Sequence, residues 1–227
     1  MRTIIFIFIM TIINFNPAHS SEIVIKLSNG FALLNMPKKT PNYGIIFFKG
    51  NTGYVGIQTD GRILNKRSGS MMISTRNIYS KKGIASLLVD QGASVDDAVQ
   101  ALLARGVRKI YVSGESRGCL RSLEGTRKNI SGYILISCMH DRIIEYLGTS
   151  DRIPKNTLII HHKQDRCYGT LPYKAIEFIR WAGNRVKVLW ITGGYDDGGH
   201  PCRAKTYHGM SGNEMKVVNS IINHLKR

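Results

Sequence analysis

The chain has 227 residues, 43% hydrophobic and 21% charged, with 32 Lys and Arg against 15 Asp and Glu for a formal charge of +17. These totals exclude a disordered or low-complexity protein and give enough chain for one domain with a large core, but too little for two comfortable ones. The basic residues are scattered, and no zinc-finger, RNP or helix-turn-helix pattern is present. That speaks against a specific nucleic-acid module and leaves a basic surface attracted to anionic surfaces such as acidic lipid headgroups or polyanionic polymers.

At the N-terminus Arg2 precedes an apolar run from Ile4 to Ile13, and Pro17-Ala18-His19-Ser20 puts small residues at the −3 and −1 positions of a cut after Ser20. The run falls short of the ~20 apolar residues that a spanning helix needs. Residues 1–20 therefore read as a signal peptide and residues 21–227 as one exported domain, periplasmic or secreted, with no transmembrane span in the mature chain. All four cysteines (Cys119, Cys138, Cys167 and Cys202) follow the cut. An oxidising compartment favours disulfides, and three pairings are open.

Glu22 to Leu27 and Phe31 to Met36 read as strands of an opening hairpin around Ser28-Asn29-Gly30. Gly44 to Phe48 is apolar throughout, as a buried parallel strand is, and runs into the glycine-rich loop Lys49-Gly50-Asn51-Thr52-Gly53. From Gln58 to Lys82 the pattern is poor and suggests turns over the sheet edge. Ile84 to Asp90 is the next strand. Ser94 then caps a helix with Val95, Ala98, Val99, Leu102 and Leu103 on one face, closed by Gly106. Lys109 to Ser113 is a strand, Cys119 to Thr126 a helix, Ile130 to Cys138 a strand, and Met139 to Pro154 holds a short amphipathic turn. Thr157 to His162 is a strand, Leu171 to Trp181 a helix and Val186 to Thr192 a last strand. A loop from Gly193 to Gly209 precedes a final helix, Gly212 to Leu225. Strands alternating with helices after a hairpin predict an α/β fold with a mostly parallel central sheet, whose chemistry would sit beyond the carboxyl ends of the strands.

Between the strand at Lys109 and the helix after it lies Gly114-Glu115-Ser116-Arg117-Gly118. A sharp strand-to-helix turn needs residues without a β-carbon on either side of the serine, which is then held out with its hydroxyl exposed. A serine hydroxyl is a poor nucleophile until a base takes its proton and an acid orients that base. Asp165, after the strand ending at His162, is the candidate acid, with Asp141 as competitor. His208, in Tyr207-His208-Gly209 before the final helix, is the candidate base. His200 and the Asp196-Asp197 pair compete for that position.

These residues resemble the α/β-hydrolase fold superfamily, in particular a compact exported serine hydrolase without a lid domain. The resemblance rests on Gly114 to Gly118, Asp165 and His208-Gly209 and covers most of the mature chain. It implies Ser116 as nucleophile, His208 as general base and Asp165 as the residue orienting it. It also implies an oxyanion hole from the backbone N–H of Arg117 and one from Asn51 or Thr52, although Lys49-Gly50-Asn51 replaces the usual His-Gly-Gly. In that layout Cys167 pairs with Cys202, tying the acid loop to the histidine loop, and Cys119 pairs with Cys138. The implied activity is hydrolysis of an ester, thioester or amide in a small-molecule or acyl substrate through an acyl-enzyme, without cofactor or metal. The rival ligand set His161, His162, Asp165, Cys167, His200, Cys202 and His208 matches no tight zinc spacing. The alternative from another class is a non-catalytic protein of the same fold that binds an anionic envelope component through its basic surface.

Overall fold

A computed structural model describes residues 22–65, 69–154 and 156–227 of the protein; the signal segment expected at residues 1–20 lies outside the described residues. The chain opens with β1 (Glu22–Lys26) and β2 (Phe31–Asn35), antiparallel and joined at Gly30, whose φ of 91° is open to glycine at little cost. β2 pairs antiparallel with β4 (Ile84–Val89), which lies parallel to β3 (Tyr43–Phe48). β5 (Lys109–Glu115), β6 (Ile130–Ile136), β7 (Thr157–His162) and β8 (Val186–Ile191) continue in parallel to complete one eight-stranded sheet in the order β1-β2-β4-β3-β5-β6-β7-β8. β4 and β7 are buried at every position, which is why each carries an apolar core, Leu87-Leu88-Val89 and Leu158-Ile159-Ile160, alongside the buried polar residues Ser86, Thr157, His161 and His162.

The helices lie on both faces. α3 (Val95–Leu103) begins where Ser94 Oγ accepts the Asp97 N–H at 3.0 Å, and it buries Val95, Ala98, Val99 and Leu102. With α4 (Gly118–Ser122), α5 (His140–Leu147) and α6 (Pro172–Ala182) it covers one apolar layer, which includes Ile46, Phe48, Val112, Leu135 and Phe178. The other layer, with Phe47, Tyr79, Ile134 and Ile160, is covered by α1 (Met71–Thr75), α2 (Ile78–Lys81) and α7 (Glu214–Leu225). This is the α/β architecture expected from the strand–helix alternation.

Several boundaries differ from the sequence expectation. The stretch from Gln58 to Lys82 is not only turns, because α1 and α2 form there, with Met71, Met72, Ile73 and Tyr79 buried. β5 runs on through Gly114 to Glu115 and β6 stops at Ile136. α4 ends at Ser122 and not Thr126. The segment after β6 carries an eight-residue helix and a 3-10 turn, Ser150–Arg152, and no larger insertion. Gly212 takes a φ of 77°, so the last helix starts at Glu214. No helix among the described residues is long and apolar enough to cross a membrane.

Candidate active site

β5 is flanked by β3 and β6, and its chain runs directly into Ser116, whose backbone N–H still bonds Ile136 O at 2.9 Å. At that residue φ turns to 54°. A left-handed conformation of this kind costs a residue with a side chain about 1–2 kcal/mol. The two flanking glycines make the turn sterically feasible. A β-carbon on Gly114 would lie 2.4 Å from Cys119 Cα, and one on Gly118 would lie 2.1 Å from Phe48 O. Cys119 N then bonds Ser116 O at 3.2 Å and α4 follows. Ser116 is left partly exposed at the carboxyl edge of the sheet.

Asp165 sits in the tight turn after β7, 2% exposed. Its Oδ1 accepts the Cys167 N–H at 2.8 Å; its Oδ2 accepts the Thr170 hydroxyl at 2.8 Å and faces His208 Nδ1 at 3.0 Å. With Nδ1–H donating to the carboxylate, Nε2 is left as the acceptor. Thr170 Oγ1 is also 3.0 Å from His208 Nδ1, so the hydroxyl spends its proton on Asp165 while its lone pair faces the ring. Further clamps hold His208, itself 4% exposed. Ser137 Oγ donates to its carbonyl at 2.8 Å, and Thr206 Oγ1 accepts its N–H at 3.2 Å. His162 Nδ1 accepts from Gln164 N at 3.0 Å, so its Nε2–H donates to Gly193 O at 2.9 Å, and its ring stacks on Tyr207 at 4.6 Å.

Ser116 and His208 line one cavity of about 560 Å³, with Lys49, Glu115 and Ser70 deeper and Arg203 and Lys205 at the mouth. No hydrogen bond joins Ser116 to His208 among the described residues. A second cavity of about 390 Å³ lies on another side of Ser116, lined by Arg117, Met139, Tyr168, Thr170 and His200. The loop after β3 packs tightly on the serine turn, since a β-carbon on Gly50 would lie 2.9 Å from Glu115 O and 3.1 Å from Ser116 Cβ. Asn51 lines both cavities; Thr52 lines neither, its carbonyl being turned to Arg121 Nη1 at 3.3 Å. The backbone N–H groups of Asn51 and Arg117 have no acceptor among the described residues.

The competing candidates make other contacts or stand at the cavity rims. Asp141 pairs with Lys174 at 2.8 Å, and Asp196 pairs with Arg166 at 2.9 Å. His200 is exposed and lines the smaller cavity. Asp197 stands at the mouth of the larger one.

The cysteines form two bridges, Cys119–Cys138 between the start of α4 and the end of β6, and Cys167–Cys202 between the Asp165 turn and the long loop carrying His208. The thiolates of the rival metal-ligand set are thereby consumed. Cys167–Cys202 closes a separation of 35 residues. Such a loop contributes roughly 3–4 kcal/mol through the unfolded chain. The double variant Cys167→Ser, Cys202→Ser is expected to lower the free energy of unfolding by about that amount in urea titration; an unchanged midpoint would show that the bridge carries no stability.

Sequence reasoning passed over several groups that set this geometry. Asp90, read only as the end of a strand, accepts the N–H groups of Val55 (2.7 Å), Gly56 (3.2 Å), Ile57 (2.7 Å) and Gln91 (2.7 Å), anchoring the chain that follows the Asn51 loop. Thr170 and Ser137 are single hydroxyls with no motif around them. Behind Asp165, the buried His161 holds Nε2 3.7 Å from Oδ2, its ring packed on His140 at 5.3 Å and Trp190 at 5.7 Å. Burial pulls its pKa down to about 4, with the Asp165 carboxylate opposing. His140 is pushed well below the ordinary histidine value, again chiefly by burial. Lys49 lies below the usual lysine value because burial outweighs the help it receives from Glu115.

No family model and no curated protein sequence matches the chain. Solved structures do. An α/β serine hydrolase homologue from Coxiella burnetii superposes with a TM-score of 0.59 at 13% identity over 92% of this chain and 99% of that one. An α/β serine hydrolase without lid from Xanthomonas campestris gives 0.57 at 12% identity, covering 91% of this chain and 96% of that one. An esterase from Pyrococcus furiosus gives 0.60 at 13% identity, covering 91% and 90%. The chain therefore has the α/β-hydrolase fold.

Proposed function

We propose that the protein is a serine hydrolase acting on a carboxylic ester, thioester or amide through an acyl-enzyme. The observation that carries this reading is that Ser116, held in a left-handed turn, opens into the same cavity as a histidine whose far nitrogen is bonded to a buried carboxylate. Ser116 Oγ attacks the carbonyl carbon while His208 Nε2 takes its proton. Asp165 stabilises the resulting imidazolium through Nδ1–H. The tetrahedral oxyanion rests on the unoccupied N–H groups of Arg117 and of the Asn51–Thr52 loop, where Asn51 is the better placed donor. His208 returns the proton to the leaving group, and water, deprotonated by the same ring, releases the acyl group. The structural neighbours described as serine hydrolases support this reading at the level of the fold. We further infer that residues 1–20 direct export and that residues 21–227 act as one domain in the periplasm or outside the cell, an inference supported by the two disulfides.

A fluorophosphonate probe tests the mechanism directly. Covalent labelling that maps to Ser116 and disappears in Ser116→Ala is the expected result. Absence of labelling in the folded, oxidised protein, together with salt-sensitive retention on a polyanion, would favour the non-catalytic binding reading.

A further inference from the structure

The larger cavity beside Ser116 is unlike a receptacle for a hydrocarbon chain. Among its described lining residues the only apolar side chains are Ala204 and the bridged Cys202; the others are polar, charged or glycine. A fatty acyl arm would find almost no apolar surface there, so the usual gain from burying each CH₂ would be lost. The cationic groups are arranged at two depths. Lys49 is 5% exposed at the inner wall, and among the described residues its Nζ makes a single hydrogen bond, a 3.4 Å contact to the neighbouring Gly50 carbonyl. An ammonium carries three donors. Arg203 and Lys205 are exposed at the mouth, and neither they nor Lys49 enter an ion pair among the described residues.

The two carboxylates of the cavity do not cancel these charges. Glu115 accepts the Ser70 hydroxyl at 2.8 Å and lies beyond ion-pair distance of Lys49. Asp197 is exposed and accepts the Gly199 N–H at 2.9 Å. Burial still dominates the position of Lys49 on the pKa scale, with Glu115 only opposing it. A desolvated ammonium left with donors to spare is relieved by an incoming oxyanion, which would form a short charge-assisted bond there.

Resting on the hydrolase reading, we propose that the substrate is a small hydrophilic ester whose arm in this cavity ends in an anionic oxygen group, a carboxylate or phosphate, bound by Lys49 at the base and guided in by Arg203 and Lys205. The hydrolysed bond then lies between Ser116 and the anionic terminus. Lys49 is a specificity-determining residue and takes no proton in the reaction.

The experiment compares kcat/KM within each protein preparation, so that the ratio is insensitive to the fraction folded. Two pairs place the charge on either arm: 4-nitrophenyl hydrogen adipate against 4-nitrophenyl hexanoate, and 3-butyryloxybenzoate against phenyl butyrate. One acidic ester should exceed its neutral partner by about tenfold or more at low salt. The ratio should shrink as salt approaches ~1 M. It should fall towards one in Lys49→Met, and partway in Arg203→Gln with Lys205→Gln. Neutral esters turned over as well as both acidic ones would overturn the inference while leaving the hydrolase intact. A preference untouched by Lys49→Met, or fluorophosphonate labelling without turnover of either acidic ester, would overturn it as well. Absence of both labelling and turnover of any ester would remove the hydrolase reading itself, and the inference with it.

Discussion

Ser116→Ala is expected to lower turnover of an activated ester by up to about a millionfold, the loss seen when nucleophile, base and acid operate as a unit. That factor corresponds to roughly 8 kcal/mol of transition-state stabilisation. It is far more than removal of one surface hydroxyl costs in stability, which is usually within about 0.5 kcal/mol. The variant should keep its fold because alanine meets the same left-handed strain as serine at φ 54°, and because the glycines at 114 and 118 are untouched. Equal urea midpoints for parent and variant, with activity gone, is the expected pair of readings. Activity within about tenfold of the parent would take Ser116 out of the chemistry and leave the α/β-hydrolase fold standing without it.

Acidification is expected to weaken the protein through histidines that the proposed reaction does not use. His161 is held at about 4 in the folded chain against an ordinary 6.5, a difference of 6.5 − 4 = 2.5. Below the unfolded value the unfolded chain takes up a proton that the folded chain refuses. Stability is therefore full above about pH 6.5 and is lost progressively as pH falls towards 4, by roughly 3 kcal/mol for this residue alone. His140, fully buried against it and shifted in the same direction, adds to the loss. The groups facing His161 set the balance: Asp165 favours its charged form, whereas His208 and His162 disfavour it. Against a typical total of 5–15 kcal/mol, such a loss is large. Urea midpoints measured at pH 7 and near pH 4.5 should differ strongly, and His161→Phe should flatten the slope. A midpoint independent of pH over that interval would mean that the imidazole finds a partner when charged.

What could be read from the amino acids depended on whether a residue's role is enforced by local sterics. The strand-turn-helix around Ser116 was legible because no residue with a β-carbon fits at Gly114 or Gly118, whatever the rest of the chain does. β3, β4 and β7 were legible because strands covered on both faces leave short, largely apolar runs. The helices at 71–75 and 78–81 were not, since elements of five and four residues are too short to display a 3.6-residue period and neither has a side-chain cap. Nothing in the sequence marks Lys49 and Glu115 as buried; their burial follows from the close approach of the β3 loop to the serine turn, a tertiary fact with no local signature. Asp90 was hidden for the same reason, as its four N–H partners include three that lie more than thirty residues away. The partner of Arg76 was equally hidden, as its guanidinium is taken up by Glu22, 54 residues away, at 2.6 and 2.7 Å.

The order in which the site's parts occur along the polypeptide has a kinetic meaning. The imidazole at 208 follows all eight strands and precedes only the terminal helix, and the loop bearing it is secured by a cross-link and by clamps from residues 137 and 162. On the proposed mechanism, a polypeptide whose tail has not yet docked would carry the serine turn without the base assigned to it. Such a chain would stay chemically silent until its tail docks and Cys167 joins Cys202, a latency that needs no separate inhibitor.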